Sequence, residues 1–204
     1  LSQAARLDPN YAMAYSNRGN AYFDKRDYDR AIADLNTAIK LNPSAVGAYY
    51  DRGIAHGLKG QLDQAIGDFN EAIKLDRGNA IAFNNRGVAY AMKGDNDRAV
   101  ADFDTALKLN PNYGAALANR ANAFIDKRDV DRAIAEFDQA LKLDPKNAYA
   151  LHDRGVAYYK KRNFDHTIAD YEQLTKLDVR LTASTKPAGD DLRGQGGFDR
   201  GDSE

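Results

Sequence analysis

Five arginines and five acids recur in step along this chain, and that pattern could make either ion pairs or an anion-binding ladder. The arginines are Arg18, Arg52, Arg86, Arg120 and Arg154, spaced by 34 residues. The acids Asp34, Asp68, Asp102, Glu136 and Asp170 each follow 16 residues behind. A guanidinium fork matches a carboxylate with two parallel hydrogen bonds. One arrangement pairs each arginine with its acid; the other aligns the arginines as a basic ladder for an acidic ligand. The fixed offset favours pairing, as a clamp between two helices of one unit. A second set stands immediately before each arginine: Asn17, Asp51, Asn85, Asn119 and Asp153. A carboxamide both donates and accepts, so it can pair with a peptide backbone of any sequence, whereas an ionised aspartate only accepts.

Other chemistry is not indicated. His56, His152 and His166 have no partner at metal-ligand spacing. Asp95-Asn96-Asp97 has neither the glycine nor the closing glutamate of a calcium loop and reads as a helix start. The chain has no cysteine, which removes thiolate chemistry and disulfides. Phosphate-cradling glycine loops and nucleophile elbows are absent from the sequence. No catalytic residue, cofactor or metal is therefore expected, and the chain reads as a non-enzyme. A net charge of −1 provides no field that would favour nucleic acid or an anionic membrane. With 43% hydrophobic and 29% charged residues, the composition is that of a soluble folded chain. No apolar run approaches the roughly 18 residues of a membrane span. The default location is cytoplasmic. Because Leu1 falls inside a repeat, a preceding segment is expected and the compartment is left open.

The elements that would position these residues are helices. In the first unit Tyr15, Gly19 and Tyr22 share one helical face, and Ala31, Ile32, Leu35, Ala38 and Ile39 mark a second helix. Asp27 and Asp29 suit its start and Lys40 its end. Asn42-Pro43 stops it, and Asp8-Pro9, Asn110-Pro111 and Asp144-Pro145 repeat the stop; Asp76-Arg77-Gly78 replaces proline with glycine. Gly19 and Ala31 would allow the two backbones to approach closely. Ala38, Ala72, Ala106 and Ala140 would admit the next hairpin, so that stability sums over repeats and their interfaces.

The order Tyr15, Gly19, Tyr22, Ala31, Leu35, Ala38, Pro43 closely resembles the tetratricopeptide repeat (TPR) signature. Phe83, Gly87, Tyr90, Ala99, Phe103, Ala106, Pro111 repeats it. The Asn-Arg-Gly runs resemble bacterial-type repeats. The resemblance implies an all-α, right-handed superhelical solenoid of antiparallel hairpins. Full repeats are expected at 12–45, 46–79, 80–113, 114–147 and 148–181. Residues 1–11 read as the remnant of a preceding repeat, and 182–204 as a flexible tail. Thr167, Leu174 and Val179 break the pattern, marking the fifth unit as the last.

In this family the first helix of each hairpin lines the concave wall. The residues before the arginines then resemble the asparagine ladder of the O-linked N-acetylglucosamine transferase repeats, where amides hold an extended peptide. The wall is expected to carry Asn17 and Asn20 at one end and Asn119, Asn122, His152 and Asp153 at the other. Tyr50, Asp51, Ile54, Ile81, Asn84, Asn85, Val88 and Met92 fall in its middle. A partner with an apolar centre and some basic residues would fit such a wall. The basic clamp that holds chaperone tails is not supported, since Ser16, Ile81 and Asn85 occupy its places. The leading expectation is a scaffold that binds a protein or peptide segment in the groove. The alternatives are a spacer that self-assembles through its ends and the regulatory arm of a larger enzyme.

Overall fold

A computed structural model describes residues 11–177 as ten α-helices in five hairpins, with no strand among the described residues. The first helices are α1 (Ala12–Asp24), α3 (Val46–Leu58), α5 (Ala80–Met92), α7 (Gly114–Asp126) and α9 (Ala148–Lys160). Their partners are α2 (Tyr28–Leu41), α4 (Leu62–Leu75), α6 (Asn96–Leu109), α8 (Val130–Leu143) and α10 (Phe164–Lys176). Residues 1–10 and 178–204, which hold most of the expected remnant and all of the expected tail, lie outside the described residues.

Two kinds of turn alternate, each with its own chemistry. Within a hairpin, the tight turn puts one residue in the left-handed region. That residue is glycine in the second and third hairpins (Gly60, φ 74°; Gly94, φ 80°). It is arginine in the first, fourth and fifth (Arg26, φ 61°; Arg128, φ 64°; Arg162, φ 59°), where the Cβ makes the same backbone less favourable. Asp27, Asp95 and Asp129 then cap the second helix, accepting from the backbone N–H of Arg30, Arg98 and Arg132. Each of those arginines folds back over an aromatic ring, Tyr22, Tyr90 and Phe124 respectively.

Between hairpins the stop proves to be a side-chain turn. The Oδ1 atoms of Asn42, Asp76, Asn110 and Asp144 accept from the backbone N–H two residues on, at 3.0–3.2 Å. The second unit therefore ends as the others do although it lacks the proline. The Asn or Asp makes the turn, and Gly78 adopts no positive φ.

The core repeats with the sequence. Phe69, Phe103, Phe137 and Leu35 are fully buried between the two helices of their hairpins. Opposite them a Cβ on Gly53 would sit 2.8 Å from Phe69 and one on Gly87 2.7 Å from Phe103, so only glycine fits without movement. Ala38 of α2 packs with Ala48 of α3, and both are buried. Small residues thus let one hairpin settle on the next. Thr167, in place of the usual alanine, is 8% exposed; its hydroxyl donates to the Asn163 carbonyl at 2.9 Å.

Candidate functional site

The recurrent arginines face carboxylates. Arg18 donates from Nε and Nη2 to the two Asp34 oxygens, both at 2.6 Å. Arg86 does the same to Asp102 at 2.7 Å. Arg52 and Arg154 form the same fork on Asp68 and Asp170. The four aspartates are buried, with side chains 4–9% exposed, and Glu136, which Arg120 meets, is 14% exposed. An additional contact was not anticipated from sequence. The Nη1 groups of Arg52, Arg86, Arg120 and Arg154 donate to Asn36, Asn70, Asp104 and Asp138 of the preceding hairpin, at 2.6–2.7 Å. Each of these arginines therefore holds its own hairpin closed and fastens it to the hairpin before. Such engagement leaves no basic ladder for an acidic ligand.

A second periodic set also escaped the sequence reading. Lys59, Lys93, Lys127 and Lys161 pair with Asp29, Asp63, Asp97 and Asp131, each across one junction at the hairpin tips. The aspartates are 80–85% exposed, so each pair contributes little. Their signal was the same 34-residue period.

Successive odd-numbered helices touch one another, whereas successive even-numbered helices do not, so the odd helices form the crowded inner side of the stack. An amide chain runs through that wall. Asn119 of α7 donates to Asn84 of α5 at 2.9 Å, Asn84 to Asn85 at 3.1 Å, and Asn85 to the Tyr50 hydroxyl of α3 at 3.0 Å. Asn84 and Asn85 are completely buried, and Asn119 and Tyr50 nearly so. Ile54 and Val88 are buried with them. This corrects the expectation for six residues. Tyr50, Ile54, Asn84, Asn85, Val88 and Asn119 do not offer their side chains to a ligand, because adjacent odd helices cover them. The hydrogen bonds also satisfy polar groups whose burial would otherwise be costly.

The other eight expected wall residues keep some exposure. Asn17, Met92 and His152 are exposed, and Asn20, Asp51, Ile81, Asn122 and Asp153 are half-buried. The structure joins three of them at the α7–α9 step. Asn122 Nδ2 donates to Asp153 Oδ2 at 2.9 Å, and His152 Nδ1 lies 2.9 Å from Asp153 Oδ1. That hydrogen bond to Asp153 raises the His152 pKa from its ordinary value, against the opposing effect of burial. A hollow of about 510 Å³ lies away from these residues, over the α5–α6 turn beside Asn96, Lys93 and Lys127. No group of three His, Cys, Asp or Glu among the described residues could hold a metal. No described helix is long and apolar enough to cross a membrane.

Stacked hairpins with a common inner wall define a helical-repeat solenoid, a fold that serves as a protein-interaction scaffold. Tetratricopeptide repeat models match residues 1–45, 16–80 and 80–113, and a TPR repeat model matches 121–161. The chain belongs to the tetratricopeptide repeat family. Solved structures share the fold at low identity. YrrB, "a TPR protein with an unusual peptide-binding site", is 23% identical with a TM-score of 0.68, covering 89% of this chain and 93% of that one. MamA from Desulfovibrio magneticus RS-1 is 19% identical with a TM-score of 0.70, covering 86% and 97%. The Cut9–Hcn1 structure of the APC/C is 22% identical with a TM-score of 0.76, covering 90% of this chain and 37% of that one. No curated protein matches the chain.

Proposed function

We propose that the array is a non-catalytic scaffold that binds a protein or peptide segment along the wall of its odd-numbered helices. What supports this most is the contact between successive odd helices, which makes a continuous wall whose buried amides are already hydrogen-bonded. A wall ordered in advance loses little conformational freedom when a segment lies on it. The wall residues that keep some exposure are Asn17 and Asn20 at one end, Asp51, Ile81 and Met92 in the middle, and Asn122, His152 and Asp153 at the other end. They fit a segment with apolar residues in its centre and basic or amide groups toward its ends. The peptide-binding site of YrrB and the Cut9–Hcn1 assembly are consistent with a scaffold role.

The test is capture of partners by the immobilised 204-residue chain. Met92→Glu with Asn122→Lys should lose a partner that the parent chain retains, with helix content unchanged. Ala101→Glu, an exposed change on α6, should retain it. A partner kept by the first variant and lost by the second would overturn the wall as the binding face.

A further inference from the structure

The third junction, where the hairpin of α5 and α6 meets that of α7 and α8, is built differently from the first. Each even helix opens with one residue at its hairpin tip. That residue is Tyr28 in α2, Leu62 in α4 and Val130 in α8, but Asn96 in α6. At the first junction the tips close on apolar side chains. Phe23 packs edge to face on Tyr28 with ring centroids 5.3 Å apart, and Leu58 and Leu62 of the next hairpin pack against the same buried cluster. At the third junction Ala91, Asn96, Asp126 and Val130 hold those four places. The hollow of about 510 Å³ lies there, lined by Asn96 and Asp97 of α6 and by Lys127 at the end of α7. The Lys127–Asp97 pair that spans the tips is exposed and holds them weakly.

The buried core divides at the same place. One contiguous cluster runs from Phe23 of the first hairpin to Phe103 of the third and enters the fourth only at Ala123. Another runs from Leu117 to Leu151, in the fourth and fifth hairpins. Val100 of α6 packs against both, and Leu107 against the second. A small further group, Leu35, Ala38 and Ala48, lies within the first two hairpins. On the inner wall the third junction is joined by an amide pair, Asn119 to Asn84. Three buried side-chain atoms among the described residues make no hydrogen bond. Two of them belong to this junction: Asn96 Oδ1, and Nε of Arg120, whose Nη1 crosses to Asp104. An unpaired buried polar atom weakens the closed arrangement, because an open one lets water reach it.

We propose that the third junction is a hinge, about which the first three hairpins and the fourth and fifth reorient as two blocks. Polar contacts exchange for water at small net cost, whereas the apolar side chains at the first two junctions, Ile32, Leu62, Ile66 and Ile73 among them, resist separation. The hinge falls between Met92 and Asn122 of the inner wall, so the angle between those stretches changes with it. This inference rests on the junction's own groups and does not depend on segment binding by the wall.

Pairs of spin labels on the outer helices test it, since the chain has no cysteine of its own to take the label. Ala33, Gly67, Ala101 and Ala135 are equivalent exposed positions on α2, α4, α6 and α8. Ala33→Cys with Ala101→Cys spans the first two junctions, and Gly67→Cys with Ala135→Cys spans the second and third. Double electron–electron resonance should give a distance distribution about twofold broader for the second pair. Asn96→Leu, which supplies the residue that α4 carries at that place, should narrow the second pair to the width of the first. Leu62→Asn should broaden the first pair by moving the weak step to the second junction. Both positions are half-buried helix starts, and circular dichroism checks that the variants remain helical. Equal widths in the parent pairs, a second pair left as broad by Asn96→Leu, or a first pair unmoved by Leu62→Asn would each overturn the proposal.

Discussion

The third and fourth hairpins perform the same task with different residues. In the third, Gly87 lies against Phe103, and Arg86 grips Asp102 with Nε and Nη2, each at 2.7 Å. In the fourth, Ala121 replaces the glycine and Glu136 the aspartate. Arg120 turns so that Nη2 alone meets both Glu136 oxygens at 2.7 Å, leaving its Nε buried without a partner. The two substitutions belong together. A methyl at the close-approach position needs room beside the ring, and a carboxylate one methylene longer still reaches the arginine, though without the two-nitrogen fork. The clamp and the helix spacing are therefore one device, and neither can be altered alone without a cost.

Removing the arginine should have the largest effect. Arg86→Ala strands Asp102, whose side chain is 8% exposed, and should cost about 2–3 kcal/mol, just below the range for fully buried pairs. Lys93→Ala breaks only a tip pair with an 81% exposed Asp63 and should cost at most about 0.5 kcal/mol. Thermal unfolding of the two variants side by side checks the ranking, and equal shifts would break the clamp account.

Transplanting the fourth hairpin's residues into the third should have a smaller effect. Gly87→Ala places a methyl 2.7 Å from Phe103 and should cost about 1–3 kcal/mol as overpacking. Adding Asp102→Glu should cost less in that background than in the parent, a coupling of about 1 kcal/mol between neighbours. Additive costs in denaturant titrations would separate the two features.

The turns provide a gain. Arg128 occupies at φ 64° the place that Gly94 fills at φ 80°, so Arg128→Gly should stabilise the fourth hairpin by up to about 1 kcal/mol. Gly94→Arg should do the reverse. Matching melting temperatures would show that the strain is relieved elsewhere.

The smallest effect depends on pH. The Asp95 carboxylate is held below its ordinary pKa, first by the backbone N–H of Arg98 and then by its guanidinium. A depressed folded pKa contributes stability above the unfolded value, about 3.9, that is lost as pH falls through the folded value. Amide protection at the start of α6, relative to the intrinsic exchange rate at each pH, should therefore fall in that acid range. The start of α4, where Gln61 makes no side-chain cap, should show no such step.

Much of this was legible in the sequence, because 34-residue recurrence exposes anything that repeats. The hairpins, their buried alanines and the Arg18–Asp34 type of pair came from it directly. The lysine–aspartate tip pairs carried the same period and were overlooked because exposed charges look like ordinary solvated surface. The inner wall was read less well. Asn85 and Asn119 have the composition of ligand-binding rungs, but Asn85 is buried beside Tyr50 of α3 and Asn119 beside Asn84 of α5, and those approaches are set by stacking three hairpins. Asn84 pairs with Asn119, 35 residues away, so its partner is not found by examining one repeat. The second stop was misread for a different reason: Gly78 draws attention, while the turn is made by the Asp76 side chain.

Each arginine from the second hairpin onward joins its hairpin to the one before. A double-mutant cycle of Arg86→Ala and Asn70→Ala by denaturant unfolding tests it, since Nη1 of Arg86 meets Asn70 Oδ1 at 2.7 Å across the α4–α5 junction. The expected coupling is about 0.5–1.5 kcal/mol, the size of one net hydrogen bond. A coupling of zero, with Arg86→Ala still destabilising, would confine the arginine to its own hairpin and contradict the claim.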